Sequence, residues 1–282
     1  MQVIKRRKWF YILSSIIIIP GVISLMLQGL NLGIDFTGGS ITHVKMPPGV
    51  TSADMRATIS ELGIDEAEVQ KSGDEFYLRT SELTQEQTDE LMQVLRDQYQ
   101  EVEFMSAESV GATIGGELTR NALLAIGIAA VLMLVYITFR FEWTFGIAAI
   151  IAIIHNVLVV LGAFSLFQWE VGSAFIAAIL TVIGYSINDT IIIFDRIREN
   201  LRNKRKEDYE ELVNRSVGQT LNRSINTVLT SAFPLIALLI FGGSTIQLFI
   251  LAMLIGFVTG AYSSICIASS TWYDIKTREA AA

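Results

Sequence analysis

Six apolar runs, residues 9–27, 121–139, 144–167, 171–194, 225–241 and 245–268, decide what this chain can become. Each is close to the roughly 20 residues an α-helix needs to cross the hydrocarbon core of a bilayer. No water is present there to bond free backbone N–H and C=O groups, so such a run spans as a helix. Of the 282 residues, 51% are hydrophobic and only 17% charged, which is rare in a water-soluble domain of this length. An α-helical membrane protein with six transmembrane helices is therefore expected. Lys5-Arg6-Arg7-Lys8 before the first run resembles the start of a signal peptide. The run is long for one, however, and no small-x-small cleavage site follows, so an uncleaved first helix is expected. Pro20-Gly21 inside it predicts a kink.

Between the first two runs the composition changes. Residues 29–119 carry five Lys or Arg against seventeen Asp or Glu. Gly33-Ile34-Asp35-Phe36-Thr37-Gly38-Gly39-Ser40 opens this stretch. Its paired glycines permit φ > 0, which predicts a turn from the membrane into a polar domain. Alternation over 41–46 predicts a strand ended by Pro47-Pro48-Gly49. Met55, Ile59 and Leu62 fall at helical spacing over 52–62, and residues 68–72 and 75–80 predict a hairpin around Gly73-Asp74. Thr84, with Gln87 three residues on, predicts a capped helix over 84–99, before a last strand at 102–106. The order βαββαβ is that of an α+β ferredoxin-like domain. No catalytic constellation falls in it. Its acidity suits either a face that repels or orients a partner or a plain solvated surface.

Six spans leave both ends of the chain on one side. Most of the 21 Lys and Arg lie at the two termini, at Arg140, and between Arg196 and Arg223. The positive-inside rule then puts the termini in the cytoplasm and residues 29–119 outside. The expected organisation is an N-terminus and first helix (1–28), an extracytoplasmic domain (29–119), and helices two to six (120–282). Residues 196–222 form a charged connector with Tyr209, Leu212, Val213, Val217 and Leu221 on one face, expected to lie along the membrane surface.

The fourth run carries Asn188-Asp189 about two turns before its charged end. A charged group inside a membrane costs roughly 2.5–3.5 kcal/mol on insertion scales, and groups that costly commonly take part in ion or proton movement. The bland alternative is a polar group that only fastens helices. The fifth helix opens with Asn222, Arg223, Asn226, Thr227 and Thr230, a polar stripe at four-residue spacing. An Asp189–Arg223 pair suits either a protonation switch or a static salt bridge. His155, in the third run, suits a proton relay or a plain hydrogen bond to a neighbour. Gly256 and Gly260, with Ala261, Ser263 and Ser264, mark close helix packing.

Enzyme signatures are absent. No Gly precedes Lys as a P-loop requires, and there is no H-E-x-x-H or G-x-S-x-G. The single cysteine, Cys266, excludes an internal disulfide and a cysteine metal site. Work done by such a chain draws on an ion gradient or a partner.

Four motifs then carry a resemblance. They are Gly33-Ile34-Asp35-Phe36-Thr37-Gly38-Gly39, Val182-Ile183-Gly184-Tyr185-Ser186-Ile187-Asn188-Asp189 running on to Phe194-Asp195-Arg196-Ile197-Arg198-Glu199, Asn222-Arg223-Ser224, and Gly260-Ala261-Tyr262-Ser263-Ser264. Over nearly its whole length the chain resembles the SecF family of bacterial protein-export membrane proteins. That family is the smaller half of the SecDF translocation factor in the resistance-nodulation-division (RND) superfamily. The resemblance implies six helices paired with six of SecD, association with the SecYEG channel, and residence in the inner membrane. It also implies use of the proton-motive force to draw out unfolded polypeptides that the SecA ATPase has pushed. Protons are then the coupling ion, with no cofactor, no metal and no nucleic-acid partner.

By the same resemblance Asp189 and Arg223 belong to the proton path. Asn188 is expected beside them, with His155, Asn226 and Thr230 as weaker members. Gly33, Asp35, Phe36, Gly38, Gly39, Gly184, Gly256 and Gly260 are expected to be structural. Half of an RND-type exporter of small molecules or lipids, and a passive scaffold, are the competing functions.

Overall fold

The computed structural model describes residues 2–62, 64, 67–99, 101–140, 142–203 and 207–281. These divide into two compact units, Met1–Asn31 with Leu124–Ala282, and Leu32–Leu123.

The smaller unit follows the two-residue strand β1 (Asn31–Leu32) and contains α2 (Ile34–Thr37), β2 (Gly39–Lys45), α3 (Ser52–Glu61), β3 (Glu68–Ser72), β4 (Glu75–Thr80), α4 (Gln85–Gln98) and β5 (Glu103–Val110). The strands form one antiparallel sheet in the order β3-β4-β2-β5. Its core holds Val44, Met55, Ile59, Phe76, Leu78, Leu91 and Leu95. These are the inward members of period-2 strands and of helix stripes spaced by three and four. Both helices begin with capping boxes, Thr51 with Asp54 and Thr84 with Gln87. The Thr51 hydroxyl and backbone N–H both donate to Asp54, at 2.7 and 3.0 Å. Those bonds hold the Asp54 carboxyl below the usual carboxylate range.

The paired glycines are required here by geometry. Gly38 and Gly39 take φ of +75° and +124°, and a Cβ on Gly39 would meet the Thr80 carbonyl at 2.6 Å. A one-turn helix, α2, occupies part of the expected turn. β5 runs on to Val110, past the expected end at 106.

In the larger unit the helices are α1 (Arg7–Leu27), α5 (Ala112–Arg140, which starts in the smaller unit), α6 (Trp143–Leu166), α7 (Ser173–Arg202), α8 (Tyr209–Phe241), α9 (Ser244–Tyr262) and α10 (Ser269–Ala281). A π-helical segment, Ser263–Ala268, joins α9 to α10, and the two-residue strand β6 (Glu170–Val171) precedes α7. Among the described residues, six helices are long and apolar enough to cross a membrane. α1 is unbroken through Pro20. The adjacent Gly21 lies against Gly162 of α6 so closely that a Cβ on it would stand 2.7 Å from the Gly162 Cα. Ser24 and Ser165 share a 2.7 Å hydrogen bond farther along the same contact.

Two expectations are corrected. α5 begins at Ala112, not near 121. Its first turns pack within the smaller unit, where Gly115 brings the backbone against the Phe36 carbonyl. Residues 196–222 are not a separate element. α7 continues to Arg202 and α8 starts at Tyr209, while residues 204–206 lie outside the described residues. Leu212, Val213 and Val217 are fully buried with Val3, Ile4 and Trp272. Protein rather than lipid covers that apolar face, so extending α7 and α8 satisfies it without extra helix ends to cap. Phe141, in the expected turn after Arg140, is also outside the described residues.

Candidate functional site

α7 turns one stripe inward: Phe175, Ala178, Ile179, Val182, Ser186, Asp189, Thr190 and Ile193 are all buried. Helical periodicity places Asp189 on the same stripe as these apolar residues, and packing turns that stripe into the bundle. It is 4% exposed. Ser224 of α8, fully buried, donates to its Oδ1 at 2.6 Å. The other oxygen, Oδ2, is buried with no hydrogen-bond partner among the described residues.

A seam of small polar groups continues beside it. Thr190 Oγ1 lies 2.8 Å from Ser264 Oγ, in the π-helical segment. Ser264 also donates to the Ser186 carbonyl at 3.3 Å. Asn156 of α6 donates to the Gly256 carbonyl at 3.1 Å and accepts from the Thr259 hydroxyl. π-helical turns break the regular i→i−4 ladder and recur at functional sites. The glycines of α9 make the close approach possible. A Cβ on Gly256 would stand 2.2 Å from Val182 Cγ2, and one on Gly260 3.1 Å from Asn156 Nδ2.

His155 is buried, with Nε2 2.8 Å from Ser14 Oγ on α1. Ser14 in turn meets the Tyr262 hydroxyl at 3.2 Å. His155 thus has the hydrogen-bonding neighbour, and its Nδ1 is buried with no partner among the described residues.

Arg223 is the main difference from expectation. Its side chain is exposed, and no ion pair joins it to Asp189 within 4.0 Å among the described residues. Successive residues on a helix point about 100° apart, so once Ser224 faces α7 its predecessor points aside. Asn188, Asn226 and Thr230 are exposed too, and Gly184 has open space where a Cβ would go. The structure thus gathers Asp189 with Ser224, Thr190 and Ser264, and leaves Arg223, Asn188, Asn226 and Thr230 on the outer face of α7 and α8.

Thr190, Thr259 and Ser14 are not among the residues expected from sequence, and Ser224 and Ser264 entered only as members of quoted motifs, Ser264 for packing. Hydroxyls are ordinary in membrane helices, where they bond the preceding turn. The usable signals were that Ser224 directly follows Arg223 in one quoted motif and that Ser264 closes another. Among the described residues no group of three or more His, Cys, Asp or Glu is placed to hold a metal ion. A buried carboxyl with one oxygen on a neutral hydroxyl can accept and release a proton, and in either state it changes what α7 and α8 ask of one another.

Residues 90–278 match the family described as "Protein export membrane protein SecD/SecF, C-terminal", and residues 23–41 match the "SecD/SecF GG Motif". The chain is 41% identical to the protein translocase subunit SecF of Sebaldella termitidis, over 98% of its own length and 92% of that protein's. It is 39% identical to the protein translocase subunit SecDF of Bacillus subtilis, covering 97% of this chain and 38% of that protein. Its fold matches the crystal structure of SecDF, a translocon-associated membrane protein from Thermus thermophilus, with a TM-score of 0.92 at 37% identity, over 99% of this chain and 39% of that one.

Proposed function

The chain belongs to the SecD/SecF family of protein-export membrane proteins as a SecF-type subunit of the Sec translocation machinery, and we propose that it drives export with protons passing at Asp189. Relatives that carry the SecD and SecF parts in one protein support pairing with SecD. The small-molecule exporter finds no support among the relatives, which are named as protein translocase subunits.

The carrying observation is the Asp189–Ser224 contact. A carboxyl is buried in a membrane bundle, bonded to a neutral hydroxyl, with no cation within ion-pair distance among the described residues. In the proposed cycle Asp189 takes a proton from the outer side, and Ser224 holds it in one arrangement of α7 and α8. A small turn of α8 then brings Arg223 toward the carboxylate and favours release to the cytoplasm. Each proton supplies about 2.3 kcal/mol per 100 mV of membrane potential.

In this proposal the protein sits in the bacterial inner membrane with both termini cytoplasmic and residues 29–119 outside. The strand order β3-β4-β2-β5 supports a ferredoxin-like identity for that domain. SecYEG passes the chain that SecA pushes. The subunit itself hydrolyses no ATP and needs no cofactor.

Vesicles containing SecYEG, SecD and this subunit test it. With SecA and ATP present, Asp189→Asn should leave insertion and SecD binding intact while abolishing the increment in translocation that a proton gradient adds. An undiminished increment would sink the proton path and leave a scaffold.

A further inference from the structure

The smaller unit holds a feature unrelated to Asp189. β5 ends the sheet order β3-β4-β2-β5, so among the described residues a strand pairs with it on one side only. It spans Glu103–Val110, and every residue of it is exposed or half-exposed. Edge strands offer unpaired N–H and C=O groups to any extended chain.

Register shows which way its side chains point. Phe104 lies opposite Val44, whose side chain is fully buried beneath the helices. Phe104 therefore faces the helix side of the sheet, yet it is 43% exposed. A groove of about 500 Å³ runs between it and α4, lined by Thr88, Asp89, Met92, Arg96 and Asp97. A free strand edge beside a helix, with an apolar floor between them, is the geometry of peptide recognition by strand addition. Main-chain bonds supply affinity, and alternate side chains enter the groove.

We propose that the β5 edge and the α4 groove bind an extended segment of an exported polypeptide as a fifth strand, with apolar side chains on Phe104 and Met92 and basic ones toward Asp89 and Asp97. Charge argues for a basic occupant. Asp89 and Asp97 outnumber Arg96 in the groove lining, Glu108 lies on the strand while Glu103 is 3.6 Å from Lys45, and residues 29–119 carry five basic against seventeen acidic groups. Met105, the extra residue where the β2–β5 register shifts, is 45% exposed and interrupts the ladder locally. Such a bulge limits pairing to a short stretch and disfavours permanent sheet growth, as a transient grip requires. The proposal rests on the translocation function above but not on its proton step.

The test uses the full chain in lipid nanodiscs without a gradient, so its failure leaves the role of Asp189 untouched. The probe is a synthetic peptide of about twelve residues with valine and lysine taking turns at every second position and threonine between them, so that both enter one face, and with a photo-crosslinking group. Binding should crosslink to β5 and α4, and the exposed double change Asp89→Lys with Asp97→Lys should weaken it about tenfold or more. N-methylation of alternate peptide amides, which keeps charge but blocks strand addition, should abolish it. Equal binding of the N-methylated peptide, or crosslinks elsewhere, would reduce the effect to charge adsorption and overturn the proposal. So would a photo-crosslinking amino acid at position 105 that, in membranes engaged in export, joins only the SecD partner and no exported chain.

Discussion

Ser224 donates a 2.6 Å hydrogen bond to Asp189 across the α7–α8 contact, while Arg223, one residue earlier, stays on the outer face. The acid is thus held by a hydroxyl that carries no charge of its own.

Removing that hydroxyl isolates its consequence. Ser224→Ala should lower gradient-dependent translocation by about ten- to a hundredfold, the range set by losing a hydrogen bond to a charged group at roughly 1.5–3 kcal/mol. Ser224→Thr, which restores the hydroxyl, should recover most of it. Parallel rates for the Ala and Thr variants would show that packing alone matters at 224.

His155 is expected to be structural. His155→Gln places an amide nitrogen where Nε2 meets Ser14, so translocation and its pH dependence should stay near wild type. A selective loss of the gradient-dependent increment in this variant would establish a relay.

Backbone contact between α1 and α6 gives a stability prediction. Gly162→Val forces atoms into the space of Gly21, where even a Cβ comes within 2.9 Å of the Gly21 Cα. Overpacking of this kind costs about 1–3 kcal/mol or more. Thermal unfolding in detergent should fall by several degrees, whereas Gly116→Ala, with open space around it, should change little.

The capping box of α3 sets an acid limit on the smaller unit. Asp54 is held below its usual range, so its contribution is complete above the unfolded carboxylate pKa near 4 and is lost as pH falls through the lower folded value. Thr51→Ala removes the hydroxyl that caps the helix. It should cost about 1 kcal/mol at neutral pH, and the gap from wild type should narrow under acid. Hydrogen exchange of α3 amides against pH measures both.

Much of the fold was legible because local rules act over short distances. Thr84 with Gln87 marked the start of α4, and Glu68–Ser72 with Glu75–Thr80 formed the hairpin that their alternation predicts. The connector is not a separate element, for a reason local rules do not contain. The stripe Leu212, Val213, Val217 has the same amphipathic period whether it meets headgroups or Trp272, and only the folded chain brings Trp272 to it.

Composition and periodicity determined six helices long and apolar enough to cross a membrane and a carboxyl within the fourth. Those outcomes follow from backbone hydrogen bonding in lipid and from 3.6 residues per turn, which act on neighbours in sequence. Tertiary packing decided that the carboxyl bonds Ser224 rather than Arg223, because α8 is rotated so that Ser224 is buried against α7 while Arg223 is exposed. That choice depends on groups far apart in the chain, and a shift of about 100° in one helix would have reversed it.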